Sequence, residues 1–341
     1  MRRAVILGGS NSMMANGWVQ RLAAAVPSGF VVENRSIGAC TSFMGIFRFL
    51  TAPDWQPGDV VVWEYAINEF SFTSHMNLPF HVALEDLSWL VHLCEARGLC
   101  FLPVVMQTKC QAARTDRDPY LTRLFEFFHD CGIDPVDCAR LAAQDAFAAR
   151  PGFDLYQDPV HYRPDTGFTD LVAETVAARL EHLRPLGPIR HERVEAKRAQ
   201  KLDVITGFTG DGLRRFENSR LSLDYHRYSA GCQADSRGIV KGSIVVSTPY
   251  GAGVTLHHDG VATTTFATQC ADWSKGPILL QMSFDGHYYP ARLAVDRPLA
   301  FRRPTIPITS PVVLPHHTWN AEKANPDSFD GLVALIVETP L

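Results

Sequence analysis

The chain has 341 residues, more than one hydrophobic core usually supports, so two domains are expected. Its formal net charge of −4 at pH 7 gives no general attraction to nucleic acid or to an anionic membrane, and we expect neither as a partner. No apolar run reaches the roughly 20 residues that cross a bilayer, and the first strand is not followed by a signal-peptide cleavage site.

The first half of the chain alternates short apolar runs with helical patterns. From the N-terminus, the pattern predicts a strand over 3–7, a helix over 13–26, a strand over 30–33 and a uniformly apolar strand over 59–64. It then predicts a helix over 80–96, a strand over 99–106, a helix over 119–129, a strand over 133–136 and a closing helix over 165–183. This βαβαβα order predicts a doubly wound parallel sheet of five strands.

The pattern changes at Arg184, where Pro185, Gly187 and Pro188 end the closing helix. We therefore predict an α/β domain over 1–183, a linker over 184–203 and a β domain over 204–341. Short β-prone segments separated by turn residues support the last assignment, over 238–247, 253–257, 262–268, 278–284 and 332–338. They predict a small β-sandwich or β-barrel-like accessory domain.

Ser10 stands where the first predicted strand ends and the first predicted helix begins. A hydroxyl at the carboxyl end of a parallel strand, beside a helix N-terminus, lies where backbone N–H groups and the helix dipole favour a developing oxyanion. Ser10 is therefore a candidate nucleophile. The alternative is that Ser10 or Ser12 only caps the helix, which is the commoner role of serine at such a position.

Polar or glycine residues also follow the next strands. Gly38 follows the second strand and Asn68 the third, where a backbone N–H and a side-chain amide can donate to an oxyanion. Asp158 precedes His161 by three residues, so a tight loop can fold the carboxylate onto the imidazole and fix its tautomer. Each residue alone has an ordinary explanation, as a turn glycine, a loop cap or a surface histidine. Together they indicate a catalytic site.

These motifs resemble those of the SGNH hydrolases, the superfamily of GDSL-type esterases and lipases, over about residues 3–183. The correspondences are Gly8-Gly9-Ser10 for the family's Gly-Asp-Ser, Gly38 in SIGACTS for the oxyanion glycine, Asn68 in AINE for the asparagine of Gly-x-Asn-Asp, and Asp158 with His161 for Asp-x-x-His. Two departures stand out: Gly9 replaces the usual aspartate, and Ala66 with Glu69 replaces the outer residues of Gly-x-Asn-Asp.

The resemblance implies a flavodoxin-like SGNH fold and a serine esterase without cofactor or metal. Ser10, Asp158 and His161 would form its catalytic triad, and the oxyanion hole would comprise Ser10, Gly38 and Asn68. The implied substrate is a small acyl ester, such as an acetyl ester, on a carbohydrate or related metabolite. Two alternatives stay open: an O-acyltransferase using the same triad, and a non-catalytic binding or assembly protein with a vestigial hydrolase site.

The remaining polar clusters point to no metal site. Adjacent histidines on a strand face opposite sides, so His257-His258-Asp259 and His316-His317 are read as surface or core residues. The eight cysteines are scattered without a CxxC pair, which favours reduced thiols and a cytoplasmic location. The sequence leaves a homo-oligomer open.

Overall fold

A computed structural model of the chain describes all residues except 53, 77, 145–153, 259–260, 271–273, 275, 285–292, 296–297, 303–319, 321 and 326. The chain divides into two compact units: Met1–Ser74 with Ala83–Arg198, and His75–Val82 with Ala199–Leu341. Residues 184–198 of the predicted linker are thus part of the first unit. They include a short helix, Glu192–Glu195, and the start of a 3-10 helix, Ala196–Ala199.

The first unit contains a parallel sheet of five strands: β1 (Arg2–Gly8), β2 (Phe30–Asn34), β3 (Val60–Glu64), β4 (Cys100–Val105) and β5 (Val136–Asp137). Their order across the sheet is β2-β1-β3-β4-β5. Every residue of β3 and β4 is buried, as expected for strands covered on both faces. The predicted doubly wound sheet is confirmed, and its carboxyl edge carries the residues singled out above.

The connections between these strands are mostly helical. They comprise α1 (Trp18–Ala25), α2 (Ser42–Leu50), α3 (Ala66–His75), α4 (Phe80–Ala96), α5 (Lys109–Ala112) and α6 (Pro119–Asp130). After β5 come α7 (Cys138–Ala142) and the closing helix, Phe168–His182. Helix α4 has the predicted bounds. The helix predicted over 13–26 begins only at Trp18, because Asn16 has a φ of 56° and Gly17 is the N-cap.

An apolar core lies between the sheet and the closing helix. Trp18 and Leu22 of α1 are packed with Phe168, Val172 and Val176 of the closing helix, all at most 1% exposed. Because burial of one such side chain stabilises a fold by about 2 kcal/mol, this layer fixes the closing helix against α1. The loop that precedes the closing helix is thereby held near the end of β1.

The second unit consists of two sheets in which every named strand pairing is antiparallel. The strands are β6 (Gln200–Ile205), β7 (Phe208–Thr209), β8 (Leu213–Glu217), β9 (Ser222–Arg227), β10 (Cys232–Ala234), β11 (Gly238–Ser247), β12 (Gly253–His258), β13 (Val261–Ala267), β14 (Ile278–Ser283), β15 (Leu293–Val295), β16 (Leu299–Arg302) and β17 (Gly331–Pro340). One sheet has the order β13-β12-β16-β10-β7. The other has the order β14-β11-β17-β9-β8, in which β15 also pairs with β11 and β6 with β17. The prediction of an all-β second domain is confirmed.

None of the helices in the described ranges combines the length and apolar character needed to span a bilayer. All eight cysteines carry free thiols; seven are buried and Cys110 is exposed.

Candidate active site

The turn after β1 brings Ser10 to the carboxyl edge of the sheet. A 3-10 helix spans Ser10–Met13, directly after Gly8 and Gly9. Both glycines are closely approached by side chains: a Cβ on Gly8 would lie 2.6 Å from Ser12 Oγ, and one on Gly9 would lie 2.1 Å from Asn68 Oδ1. The absence of these two side chains lets residues 8–13, which we call the nucleophile turn, approach β3 and α3 closely.

Ser10, His161 and Asp158 form a continuous chain of hydrogen bonds. His161 Nε2 lies 2.7 Å from Ser10 Oγ, and His161 Nδ1 lies 2.8 Å from Asp158 Oδ2. The His161 side chain is 27% exposed and that of Asp158 40%, so the group opens to solvent on one side. The arrangement allows the imidazole to take a proton from the serine while the carboxylate holds the opposite ring nitrogen.

Asp158 is held ionised by its own loop. Desolvation would raise its pKa, but the backbone N–H groups of Val160 and His161, each 2.9 Å from Oδ1, and the His161 imidazole outweigh it and lower the pKa below its ordinary value. A charged carboxylate at this position stabilises an imidazolium.

The alternative that Ser10 or Ser12 caps a helix is wrong. The N-cap of the 3-10 helix is Gly9 and that of α1 is Gly17, and neither cap is closed by a side chain. The Ser12 hydroxyl instead donates to Glu64 Oε2 at 2.7 Å. Ser12 is 1% exposed, whereas Ser10 is half-buried and reachable.

Gly38 lies beside Ser10. A Cβ on Gly38 would be 3.6 Å from Ser10 Cβ, so the backbone after β2 passes directly alongside Ser10. Ile37 N donates to Gly8 O at 3.1 Å, which fastens this loop to the end of β1. The following residue, Ala39, has a φ of 56°, a left-handed conformation that is uncommon for alanine and concentrates at functional sites.

Asn68 occupies the first turn of α3 and faces the same turn from the other side. Its amide lies against Gly9, so close that any Cβ there would overlap it, and the residue is only 9% exposed. The five residues predicted to form the site, Ser10, Gly38, Asn68, Asp158 and His161, therefore converge at one edge of the sheet. An amide donor and a loop glycine on either side of a serine are the elements of an oxyanion hole.

Sequence reasoning assigned no role to Glu64, the last residue of β3. Its side chain is fully buried, and its Oε2 accepts from Ser12 Oγ at 2.7 Å and from Gly9 N at 3.3 Å. Burial raises the pKa of Glu64 to about 7, against the opposing effect of these hydrogen bonds. A lone carboxylate ending an otherwise apolar strand was the available signal.

Glu69, at the position of the last aspartate of the Gly-x-Asn-Asp motif, is hydrogen-bonded to Ser42, where the loop that carries Gly38 enters α2. Its carboxylate accepts from the backbone N–H of Ser42 at 3.1 Å and from the Ser42 hydroxyl, while Tyr120 donates to it at 3.0 Å. Burial raises the pKa of Glu69 to about 7. The longer side chain thus connects α3 to the start of α2 and to α6.

Within the described ranges, no group of three His, Cys, Asp or Glu side chains is arranged to hold a metal ion. The histidine pair at 316 and 317, and residue 259 of the other candidate cluster, lie outside those ranges.

No protein-family model matches this sequence, and no curated protein matches it. Among solved structures, a two-domain esterase (CEX) active on acetylated mannans is similar, with a TM-score of 0.62 at 13% identity, covering 100% of this chain and 92% of that chain. A two-domain esterase of the same description, co-crystallised with mannopentaose, has a TM-score of 0.59 at 11% identity, covering 100% of this chain and 91% of that one. A lipolytic G-D-S-L family protein from Veillonella parvula has a TM-score of 0.42 at 14% identity over 52% of this chain and 100% of that chain. With its parallel sheet in the order β2-β1-β3-β4-β5 and an all-β unit after it, the chain shares the fold of that two-domain esterase.

Proposed function

We propose that the chain is a serine esterase that removes acetyl groups from a carbohydrate, with Ser10 as nucleophile, His161 as general base and Asp158 as the residue that orients it. The observation that carries this proposal is the hydrogen-bond chain of 2.7 Å from Ser10 Oγ to His161 Nε2 and 2.8 Å from His161 Nδ1 to Asp158. A buried structural serine has no need of this arrangement, whereas an acyl-transfer nucleophile requires it.

In the acylation step, His161 Nε2 takes the hydroxyl proton as Ser10 Oγ attacks the ester carbonyl carbon. The carbonyl oxygen becomes an oxyanion, and the tetrahedral intermediate collapses as the imidazolium gives its proton to the departing sugar oxygen. Asp158 stays ionised throughout, because its lowered pKa keeps its carboxylate available to the imidazolium.

Three donors would stabilise the oxyanion: the backbone N–H groups of Ser10 and Gly38 and the side-chain amide of Asn68. The support is proximity, since Gly38 adjoins Ser10 and Asn68 adjoins Gly9. Water then attacks the acyl-enzyme with His161 again as base, releasing acetate.

The substrate class rests on the solved structures that share the fold. One of them is an esterase active on acetylated mannans, and the similarity extends over both units of the present chain. We therefore propose an acetylated saccharide as the substrate class of this chain.

The test is acetate release from acetylated mannan and acetylated xylan by the parent protein and by Ser10→Ala. We expect the parent to release acetate from at least one polymer and Ser10→Ala to be inactive. If unacetylated saccharide captured the acetyl group in place of water, the chain would be an acyltransferase instead. If the parent released no acetate from either polymer or from an aryl acetate, the esterase proposal would be wrong.

A further inference from the structure

Asn11, the residue after the candidate nucleophile, connects the nucleophile turn to the loop that carries His161. Its Nδ2 donates to Val160 O at 2.9 Å, and its Oδ1 accepts from Tyr162 N at 3.0 Å. Both ends of one amide are thus used on the two residues that flank His161. The side chain is 5% exposed, so water competes little for these bonds.

The loop itself is closed by bonds that do not involve Asn11. Gln157 N donates to His161 O at 3.0 Å, and Arg163 N donates to Leu155 O at 2.7 Å. Asp158 adds its two bonds to Val160 N and His161 N. Loss of Asn11 would therefore leave the loop folded.

A second set of bonds joins the loop to the end of β4. Lys109 N donates to Pro159 O at 2.9 Å, and the Tyr156 hydroxyl donates to Gln107 O at 3.1 Å. The loop would stay attached to the sheet without Asn11. What Asn11 adds is the placement of His161 relative to the nucleophile turn.

We infer that Asn11 is a positioning residue that holds His161 Nε2 in line with Ser10 Oγ through the backbone on both sides of the imidazole. This inference rests on the proposed esterase function. The 2.7 Å contact joins two residues 151 positions apart, and Asn11 belongs to the same turn as Ser10. A shift of the His161 loop relative to β4 would change the distance between His161 Nε2 and Ser10 Oγ.

The leaving group gives a readout that distinguishes positioning from general damage. An alkoxide leaving from a sugar needs a proton from the His161 imidazolium, whereas 4-nitrophenolate leaves without one. A misplaced imidazole should therefore impair hydrolysis of a saccharide acetate more than that of an aryl acetate. Partial unfolding, or a weaker oxyanion hole, would lower both rates by the same factor.

The experiment compares kcat/KM on 4-nitrophenyl acetate and on an acetylated manno-oligosaccharide for the parent, Asn11→Ala and Asn11→Leu. Leucine keeps the shape of asparagine and removes both hydrogen bonds, so it separates bonding from packing. Since general acid–base groups contribute roughly a hundredfold or more, we expect about a tenfold loss on the aryl ester and about a hundredfold loss on the sugar ester. KM should change little on either substrate.

Asp118→Ala serves as a matched control for lost stability. Asp118 caps α6 by accepting from Tyr120 N at 2.9 Å, so its removal weakens the same unit without touching the His161 loop. We expect it to leave the ratio of the two kcat/KM values unchanged.

An equal loss on both esters in the two Asn11 variants, or no loss, would overturn the role of Asn11 while leaving the esterase proposal intact. A parent protein that hydrolyses neither ester would remove the proposed function, and with it this inference.

Discussion

At the scale of single residues, the contact between Gly9 and Asn68 lies at the position where the SGNH motif has an aspartate. A Cβ on Gly9 would come within 2.1 Å of Asn68 Oδ1 and 2.8 Å of Asn68 Cγ. The space next to the nucleophile turn is thus filled by the amide of Asn68. The turn is held without an aspartate at position 9, because Glu64 Oε2 accepts hydrogen bonds from Gly9 N and from Ser12 Oγ.

An aspartate at position 9, as in the SGNH motif, should damage this protein. We expect Gly9→Asp and Gly9→Ala each to displace the Asn68 amide and to lower turnover of an ester by at least about tenfold, because an oxyanion donor is moved. Steady-state kinetics on an aryl acetate measures the effect. A Gly9→Asp variant as active as the parent would show that Asn68 does not need this contact.

Asn68 itself should be important for turnover and not for binding. Removal of one side-chain oxyanion donor costs roughly 3 kcal/mol of transition-state stabilisation, so we expect Asn68→Ala to lower kcat on the order of a hundredfold with KM little changed. Asn218→Ala, in the turn between β8 and β9, is a control expected to keep the parent kcat. Parent-like kcat in Asn68→Ala would remove Asn68 from the oxyanion hole.

The five proposed site residues could be predicted because each follows a strand or precedes a helix whose position the sequence indicates. Asn11 and Glu64 could not be predicted in the same way. Their roles depend on side-chain contacts with residues 149 and 52 positions away, to Val160 and Ser12. Sequence spacing carries no information on such contacts until the fold is known.

At the scale of secondary-structure elements, the sequence pattern does not predict α2, α3, α5 and α7. Helix α2 has seven of its nine residues buried and Arg48 as its one charged residue, so its sequence reads as a short apolar run that could equally be a buried strand. Its start is marked only by Thr41, whose hydroxyl accepts from Phe43 N. Helix α4 is longer, and its apolar residues, among them Leu87 and Leu90, recur at helical spacing, so the sequence predicts it with its observed bounds.

Two carboxylic acids at the end of β3 and the start of α3 predict a pH-dependent stability. Burial raises the pKa values of Glu64 and Glu69 from 4.5 to about 7. Between these values the folded protein keeps protons that the unfolded chain has lost, so the free energy of unfolding falls as pH rises and levels off above about pH 7. Each group contributes roughly 3 kcal/mol to this fall.

Urea unfolding at pH 5 and pH 8 measures the effect. We expect Glu64→Gln to remove about half of the contribution of this pair, and Glu64→Gln with Glu69→Gln to remove nearly all of it. Identical pH dependence in the parent and the double variant would contradict the assignment of the two raised pKa values.

In the second unit, Asp330 joins the ends of several strands. Its carboxylate accepts from the hydroxyls of Thr248, Thr268 and Ser328 at 2.8, 2.6 and 2.8 Å, and from Ala252 N at 3.0 Å. The residue is 2% exposed. Removing an acceptor that satisfies several buried donors is costly, because the donors keep their desolvation penalty.

We expect Asp330→Ala to lower the free energy of unfolding by about 3 kcal/mol. Asp224→Ala is the matched control, since Asp224 is 62% exposed and its surface ion pair with Arg215 contributes little. Urea denaturation of both variants makes the comparison. Equal stability of Asp330→Ala and Asp224→Ala would show that the hydrogen bonds of Asp330 have no net stabilising effect.

At the scale of the whole molecule, the change of composition at Arg184 indicated two domains but not where the first unit ends. Residues 184–198 belong to the first unit, where Ile189 N donates to Glu95 Oε1 at 2.9 Å and Arg198 bonds to the same oxygen at 2.7 Å. Such distant polar contacts give a Pro- and Arg-rich segment a fixed place, although its composition is typical of a linker. The predicted domain limits at 183 and 204 rest on composition alone, whereas the two compact units divide between Arg198 and Ala199.

The central claim is that Ser10 is a nucleophile activated by His161, and covalent labelling tests it most directly. The parent protein, treated with a fluorophosphonate, should gain one adduct, found by mass spectrometry on the peptide containing Ser10. Ser10→Ala should gain none, and His161→Ala should react far more slowly. An adduct that persists in Ser10→Ala, or an unlabelled parent under conditions that label a control esterase, would contradict the account.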